Sequence, residues 1–91
     1  MVIKKKSQIT FVYSPDNGCR KVQLVGSFNN WEPTTAGMTR QKDGTYRKRL
    51  TLEPGEYRYK FLVDGAWVAD TTADGLVPNP FGTHDSLVTV G

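Results

Sequence analysis

The sequence is poor in the residues that build chemical centres. Its 91 residues include one cysteine, Cys19, and one histidine, His84. A lone cysteine closes no internal disulfide, and with a single histidine beside it no zinc or iron site can be assembled. The fold has to stand on packing alone, and a reducing, cytosol-like compartment is expected. No apolar run reaches the length of a membrane span or of a signal-peptide core, so no membrane partner is expected. No Asn-X-Ser/Thr glycosylation acceptor occurs either. Charge of one sign is also scarce. Twelve Lys and Arg face nine Asp and Glu, and without Lys4, Lys5 and Lys6 the count is nine against nine. The excess is a terminal run and not a folded basic face, which argues against a nucleic-acid partner.

Helical periodicity is missing as well: nowhere do apolar residues recur at helical spacing for ten or more positions. What the chain has instead is short alternating or apolar runs bounded by Gly, Pro, Asp and Asn. With 37% hydrophobic residues, among them four Phe, four Tyr and two Trp, it can build one compact core. The chain reads as one all-β domain over 1–91, with a loosely ordered basic N-terminus over 1–7. Strands are predicted at Gln8–Tyr13, Lys21–Gly26, Met38–Gln41, Tyr46–Leu52, Tyr57–Val63, Ala66–Val68 and Ser86–Val90. Pro15-Asp16-Asn17-Gly18, Asp43-Gly44, Pro54-Gly55 and Asp64-Gly65 supply turns between them. About seven short antiparallel strands in so few residues predict an immunoglobulin-like β-sandwich, with a small closed barrel as the alternative. Two segments resist strand assignment, Ser27–Gly37 and Ala69–Thr83. Each carries apolar residues, so both are expected to fold back onto the body, and long ordered loops are where binding residues sit.

The run Tyr57 to Val63 fixes the side of the sheet that matters. Its odd positions are aromatic or branched and belong inward, so Arg58, Lys60 and Leu62 belong outward. A two-residue turn at Asp64-Gly65 pairs Val63 with Ala66, Leu62 with Trp67 and Phe61 with Val68. Trp67 then shares the outer face with Leu62 and Lys60. In the other long loop, Phe28 lies next to a strand and is the better anchor, which leaves Trp31 outward, before Glu32 and Pro33. Two exposed indoles and a lysine on a neutral body suit a ligand with flat C–H faces edged by hydroxyls, as sugar rings have. The competing assignment for Trp67 is a second small core under the following loop.

Three stretches, Val25-Gly26-Ser27-Phe28-Asn29-Asn30-Trp31, Pro54 to Trp67, and Asn79-Pro80-Phe81-Gly82-Thr83, resemble the glycogen-binding domain of the AMP-activated protein kinase beta subunit. That domain is a family-48 carbohydrate-binding module, related to modules at the front of branching and debranching enzymes of the amylase superfamily. The resemblance covers the chain from about Gln8. It implies an early-set immunoglobulin-like sandwich that binds α-1,4-linked glucan such as glycogen, starch, maltooligosaccharide or cyclodextrin, without catalysis, metal or cofactor. A catalytic domain or kinase subunit is the implied protein partner. By position, the stacking tryptophans of that module match Trp31 and Trp67, its sugar-bonding lysine matches Lys60, and its threonine matches Thr83. Its leucine falls on Phe81, and its asparagine on Asp85, where a carboxylate accepts but cannot donate.

Other functions find less support. His84, Asp85 and Ser86 are neighbours on a strand and point to alternate faces, so they form no triad. Asp70 and Asp74 lack the glycine and terminal glutamate of a hand-type calcium loop and are expected to cap turns. Arg40, Lys42, Arg47, Lys48 and Arg49 read as a solvated strand face. The rival to glucan binding is a structural or docking module whose tryptophans contact another protein.

Overall fold

The computed structural model describes residues 2–15, 20–31, 37–70, 72–80 and 82–91. Strands run β1 Val2–Lys5, β2 Gln8–Tyr13, β3 Val22–Gly26, β4 Thr39–Arg40, β5 Tyr46–Thr51, β6 Gly55–Val63, β7 Ala66–Val68, β8 Gly75–Pro78 and β9 His84–Val90, with one 3-10 turn at Ser27–Asn29. They form two antiparallel sheets, ordered β1-β2-β5-β4 and β3-β6-β9-β8, with β7 also paired to β6. The predicted all-β sandwich is what the chain forms. Among the described residues no helix is long and apolar enough to cross a membrane.

Period-two patterning explains the assembly. Ile9 and Phe11 of β2 face Leu24, Tyr59, Phe61 and Val88 of the other sheet, and all six are fully or almost fully buried. A chain of rings runs through this interface. Phe11 meets Tyr59 edge-on at 4.9 Å, Tyr59 meets Phe61 at 5.8 Å, and Phe61 meets Tyr13 at 5.1 Å. Tilted and edge-to-face pairs of this kind stabilise beyond the area they bury.

The hairpin after β6 has the expected register, with Val63 opposite Ala66, Leu62 opposite Trp67 and Phe61 opposite Val68. Asp64 and Gly65 both take positive φ, 48° and 87°, the requirement of the two-residue turn that matches strand twist. The Asp64 carboxylate also accepts from the backbone N–H groups of Arg20 and Lys21 at 3.1 and 2.9 Å, tying the turn to the start of β3.

Two expectations need correction. Residues 1–7 were expected to be loose, yet Val2–Lys5 is strand β1, paired to β2 from Val2↔Phe11 to Lys5↔Gln8. The lysine run hides a strand because its support is long-range: Val2 packs on the core and Lys4 Nζ meets Asp74 Oδ2 at 2.6 Å. Strand β8 lies inside the segment read as a loop, because four residues ending in proline are too few to show a period. Among the described residues nine strands thus stand where about seven were expected. The described residues of both long segments return to the body: Phe28 and Ala73 pack on the core, and Gly37 bridges Gln23. Asp16 to Cys19, most of the first expected turn, lie outside the described residues.

Behind the sheet that carries the outward tryptophan is a buried polar network. The Tyr59 hydroxyl donates to Asp70 Oδ2 at 2.7 Å, Thr72 N–H and Oγ1 donate to Asp70 Oδ1 at 3.0 and 2.7 Å, and the Asp70 N–H donates to Ser86 Oγ at 2.6 Å. Burial opposes the Asp70 charge, but hydrogen bonds to the carboxylate, those from Thr72 and Tyr59 among them, hold it below its ordinary value. Burial, and then the Asp70 bond, push the Tyr59 phenol up. Asp70 therefore contributes stability that is complete above the usual aspartate value of about 3.9 and is lost as pH falls through the lower folded-state value. Tyr59→Phe is expected to cost about 1–3 kcal/mol by removing one donor to a buried carboxylate. That corresponds to a fall in Tm of roughly 4–8 °C per kcal/mol in scanning calorimetry. Asp70→Asn should be less stable than the parent at pH 7 and show a flatter decline between about pH 5 and pH 2.

Candidate functional site

The outer face of the β3-β6-β9-β8 sheet is set by the buried residues between its positions. Tyr59 and Phe61 point in, so Arg58, Lys60 and Leu62 point out; Ser86 and Val88 point in, so Asp85 and Leu87 point out. Over this face lies a groove of about 950 Å³ lined by Trp31, Arg58, Lys60, Trp67, Thr83 and Asp85, with Asn79 and His84 at its margin. Five of the six residues expected at the site therefore line one groove. The sixth, Phe81, lies outside the described residues.

Trp67 reaches the groove through the β6–β7 hairpin and is 51% exposed; Trp31 is 37% exposed. Trp31 gets there by a different route. Phe28 anchors the loop against Phe11 and Tyr57, with ring centroids 5.5 and 6.3 Å apart. Asn29 clamps it, accepting from the Gly26 N–H at 3.0 Å and donating to the Leu24 carbonyl at 3.2 Å. Asn30 and Trp31 then take φ of 56° and 58°, and the Trp31 N–H donates to the Gly26 carbonyl at 2.9 Å. A tryptophan in the left-handed region is strained and persists only where its surroundings hold it there.

Lys60 was expected to be exposed and is not: 8% of it meets solvent. Its stem is covered and its Nζ donates to Thr83 Oγ1 at 2.9 Å. A lysine that buries its stem beside a hydroxyl keeps further N–H groups for the groove. Register alone could not give this, because the contact comes from Thr83, 23 positions along the chain.

Asn79 is the residue that sequence reasoning missed. Its Nδ2 donates to Thr83 Oγ1 at 2.8 Å and to Asp85 Oδ1 at 3.0 Å, while its Oδ1 accepts from the Thr83 N–H at 3.2 Å. Its stretch, Asn79 to Thr83, helps carry the resemblance, but Asn79 itself is given no role there. Its amide supplies a donor to one oxygen of the Asp85 carboxylate, a residue only 8% exposed.

The remaining candidates separate. Ser86 is fully buried and accepts from the Asp70 N–H, whereas His84 is exposed at the start of β9. Asp70 caps its own turn by accepting from Thr72, as expected, whereas the Asp74 carboxylate accepts from distant groups, Lys4 and the Thr89 N–H at 2.9 Å. Among the described residues no three His, Cys, Asp or Glu gather as a metal site. Arg40, Arg47, Lys48 and Arg49 belong to the other sheet, and Arg47 lies 3.8 Å from Asp43.

Residues 8–91 match the family described as the glycogen recognition site of AMP-activated protein kinase. The chain is similar to 5'-AMP-activated protein kinase subunit beta-1 of Sus scrofa, with 37% identity over 79 residues that cover 87% of this chain and 62% of that one. Against the Rattus norvegicus beta-1 subunit the identity is 35%, over 87% of this chain and 28% of the subunit. Protein FLOURY ENDOSPERM 6, chloroplastic, of Oryza sativa subsp. japonica is 39% identical over 88 residues, 96% of this chain and 16% of that one. The chain thus spans less than two thirds of the length of these relatives. Among solved structures, the maltogenic amylase from S. marinus is similar in fold, with a TM-score of 0.72 at 21% identity over 92% of this chain and 13% of the amylase.

Gly26 is the point on which the Trp31 loop turns. A Cβ there would collide with the Arg58 carbonyl oxygen and stand 2.8 Å from the Phe28 ring. Gly26→Ala is expected to cost about 1–3 kcal/mol, as overpacking does. In acrylamide quenching it should also raise the accessibility of one indole, since the strained Trp31 conformation loses its anchor.

Proposed function

The chain belongs to the family of the glycogen recognition site of AMP-activated protein kinase, a carbohydrate-binding and non-catalytic module type, and on that premise we propose that it binds α-1,4-linked glucan in the groove over β6. Glycogen, starch, maltooligosaccharides and cyclodextrins share the recognised unit. The observation that supports this reading is the groove itself, with two outward indoles at its two ends and a stem-buried lysine between them. In this reading Trp31 and Trp67 stack on sugar C–H faces. Lys60 donates to hydroxyl oxygens, Thr83 orients the lysine, and Asp85 accepts through the oxygen that Asn79 leaves open. Phe81 completes the set as a further apolar contact. A kinase subunit or catalytic domain is the protein partner in this proposal, and the cytosol its compartment.

A titration with β-cyclodextrin, followed by indole fluorescence, tests it. Trp31→Ala and Trp67→Ala are each expected to weaken binding by about 2 kcal/mol or more, roughly 30-fold, with the melting temperature nearly unchanged. A large loss of thermal stability with binding retained would make the tryptophans packing residues and favour the docking reading. Affinity for the neutral ligand should change little between low and physiological salt.

A further inference from the structure

One cation of the groove, Arg58, is given no part in the glucan reading above. Arg58 stands two positions from Lys60 on β6, on the same outer face, which places the two about 7 Å apart. Its backbone N–H donates to Ser27 Oγ at 3.2 Å, but among the described residues its guanidinium has no hydrogen-bond or ion-pair partner. Two other basic side chains are matched, Lys4 by Asp74 at 2.6 Å and Arg47 by Asp43 at 3.8 Å, and neither lines the groove. Among the described residues the one carboxylate lining the groove, Asp85, is buried and held by Asn79 at 3.0 Å. Register puts Arg58 at the Trp31 end, since Gly26, which the Trp31 N–H bonds, pairs with Tyr59.

A hydroxyl needs one donor or acceptor, whereas a guanidinium offers five donors in a fixed fork with a permanent charge, the geometry that suits an oxyanion. Lys60 has N–H groups beyond the one given to Thr83. Among the described residues these two cations, Arg58 and Lys60, line the same groove as Trp31 and stand two positions apart on one face of β6. We propose that the Trp31 end of the groove takes a phosphate monoester carried on the glucan, with Arg58 as its recognition residue; this rests on the glucan reading above and narrows its ligand to phosphorylated α-glucan. A phosphate monoester presents three oxygens that the Arg58 fork and the Lys60 ammonium share, while a carboxylate presents two on one carbon, enough for the fork alone. Nucleic acid fits less well. A polyphosphate backbone would bring charge along the whole groove, past the Asp85 carboxylate, whereas a sparsely phosphorylated neutral chain brings charge once.

The test is calorimetric titration of the 91-residue chain with β-cyclodextrin, with β-cyclodextrin bearing one 6-phosphate and with its 6-carboxylate analogue, at low salt and in about 0.5 M NaCl. At low salt the phosphate form should bind about tenfold tighter than the neutral one, and the gain should shrink in high salt. The readout is the ratio of phosphorylated to neutral affinity within each protein, so a general loss of affinity in a variant cancels. Arg58→Gln should bring that ratio close to one, and Arg58→Lys should keep part of it. A wild-type ratio near one, a ratio that survives Arg58→Gln, an equal gain from the carboxylate, or a short oligoribonucleotide binding as tightly as the phosphorylated sugar would each overturn the inference. Binding of neutral cyclodextrin with no phosphate gain removes this inference and keeps the glucan reading; binding of neither cyclodextrin removes both.

Discussion

The hydrogen bond from the Tyr59 hydroxyl to the buried Asp70 carboxylate, 2.7 Å long, is the constraint on which the groove depends. A charge taken out of water is tolerable only where donors surround it, and Asp70 meets that condition with Tyr59 and Thr72 while its own N–H bonds Ser86. Tyr59 and Ser86 are register partners in β6 and β9. One network therefore locks the inward parity of two adjacent strands at the same level. Side chains alternate faces with a period of two, so a slip of one residue in either strand would strand the carboxylate and turn Lys60 or Asp85 inward. The polar network behind the sheet selects which residues the groove can display in front.

On the displayed side, a second polar cluster does a different job. Asn79 reaches Thr83 with both ends of its amide and Asp85 with one, and Thr83 in turn takes the Lys60 ammonium. Four side chains from β6, β9 and the segment before β9 are thereby held in one arrangement. Ordering long side chains costs conformational entropy, most of all for lysine. A side chain ordered in the folded protein does not incur that cost again when a ligand arrives, which is how preorganisation raises affinity.

The parity of β6 and the pairing of Leu62 with Trp67 were legible because both are local: a period-two pattern and a two-residue turn suffice. The inward Phe28 and outward Trp31 were legible for a similar reason, since one ring of a short polar loop has to anchor it. The burial of Lys60, the strand at Val2–Lys5 and the role of Asn79 were not. Each depends on a partner 60 or more residues away, as with Lys4 and Asp74, or on a contact from another segment, as with Thr83 and Lys60. A lysine triplet at a chain start carries no sign of the carboxylate it will meet. Asp85 lies between these cases: the residue type was visible, but its meaning changed once Asn79 was seen to supply the donor that a carboxylate lacks.

The two tryptophans are positioned by unrelated devices attached to one strand. Trp67 is carried by a hairpin whose positive-φ turn is tied to β3 through Asp64, and Trp31 by a loop strained at Asn30 and Trp31 and hung from Gly26. Both supports converge on the β3–β6 pair, at Lys21 and Val63 on one side and Gly26 and Tyr59 on the other. The distance between the indoles is therefore set by five paired positions of one antiparallel ladder, while their tilt is set by the turn and the loop separately. Changes in the turn at Asp64-Gly65 or in the loop at Gly26 can re-aim one ring without moving the other. A rigid ladder with two adjustable ends lets such a groove be retuned for a differently curved chain while the core beneath it stays the same.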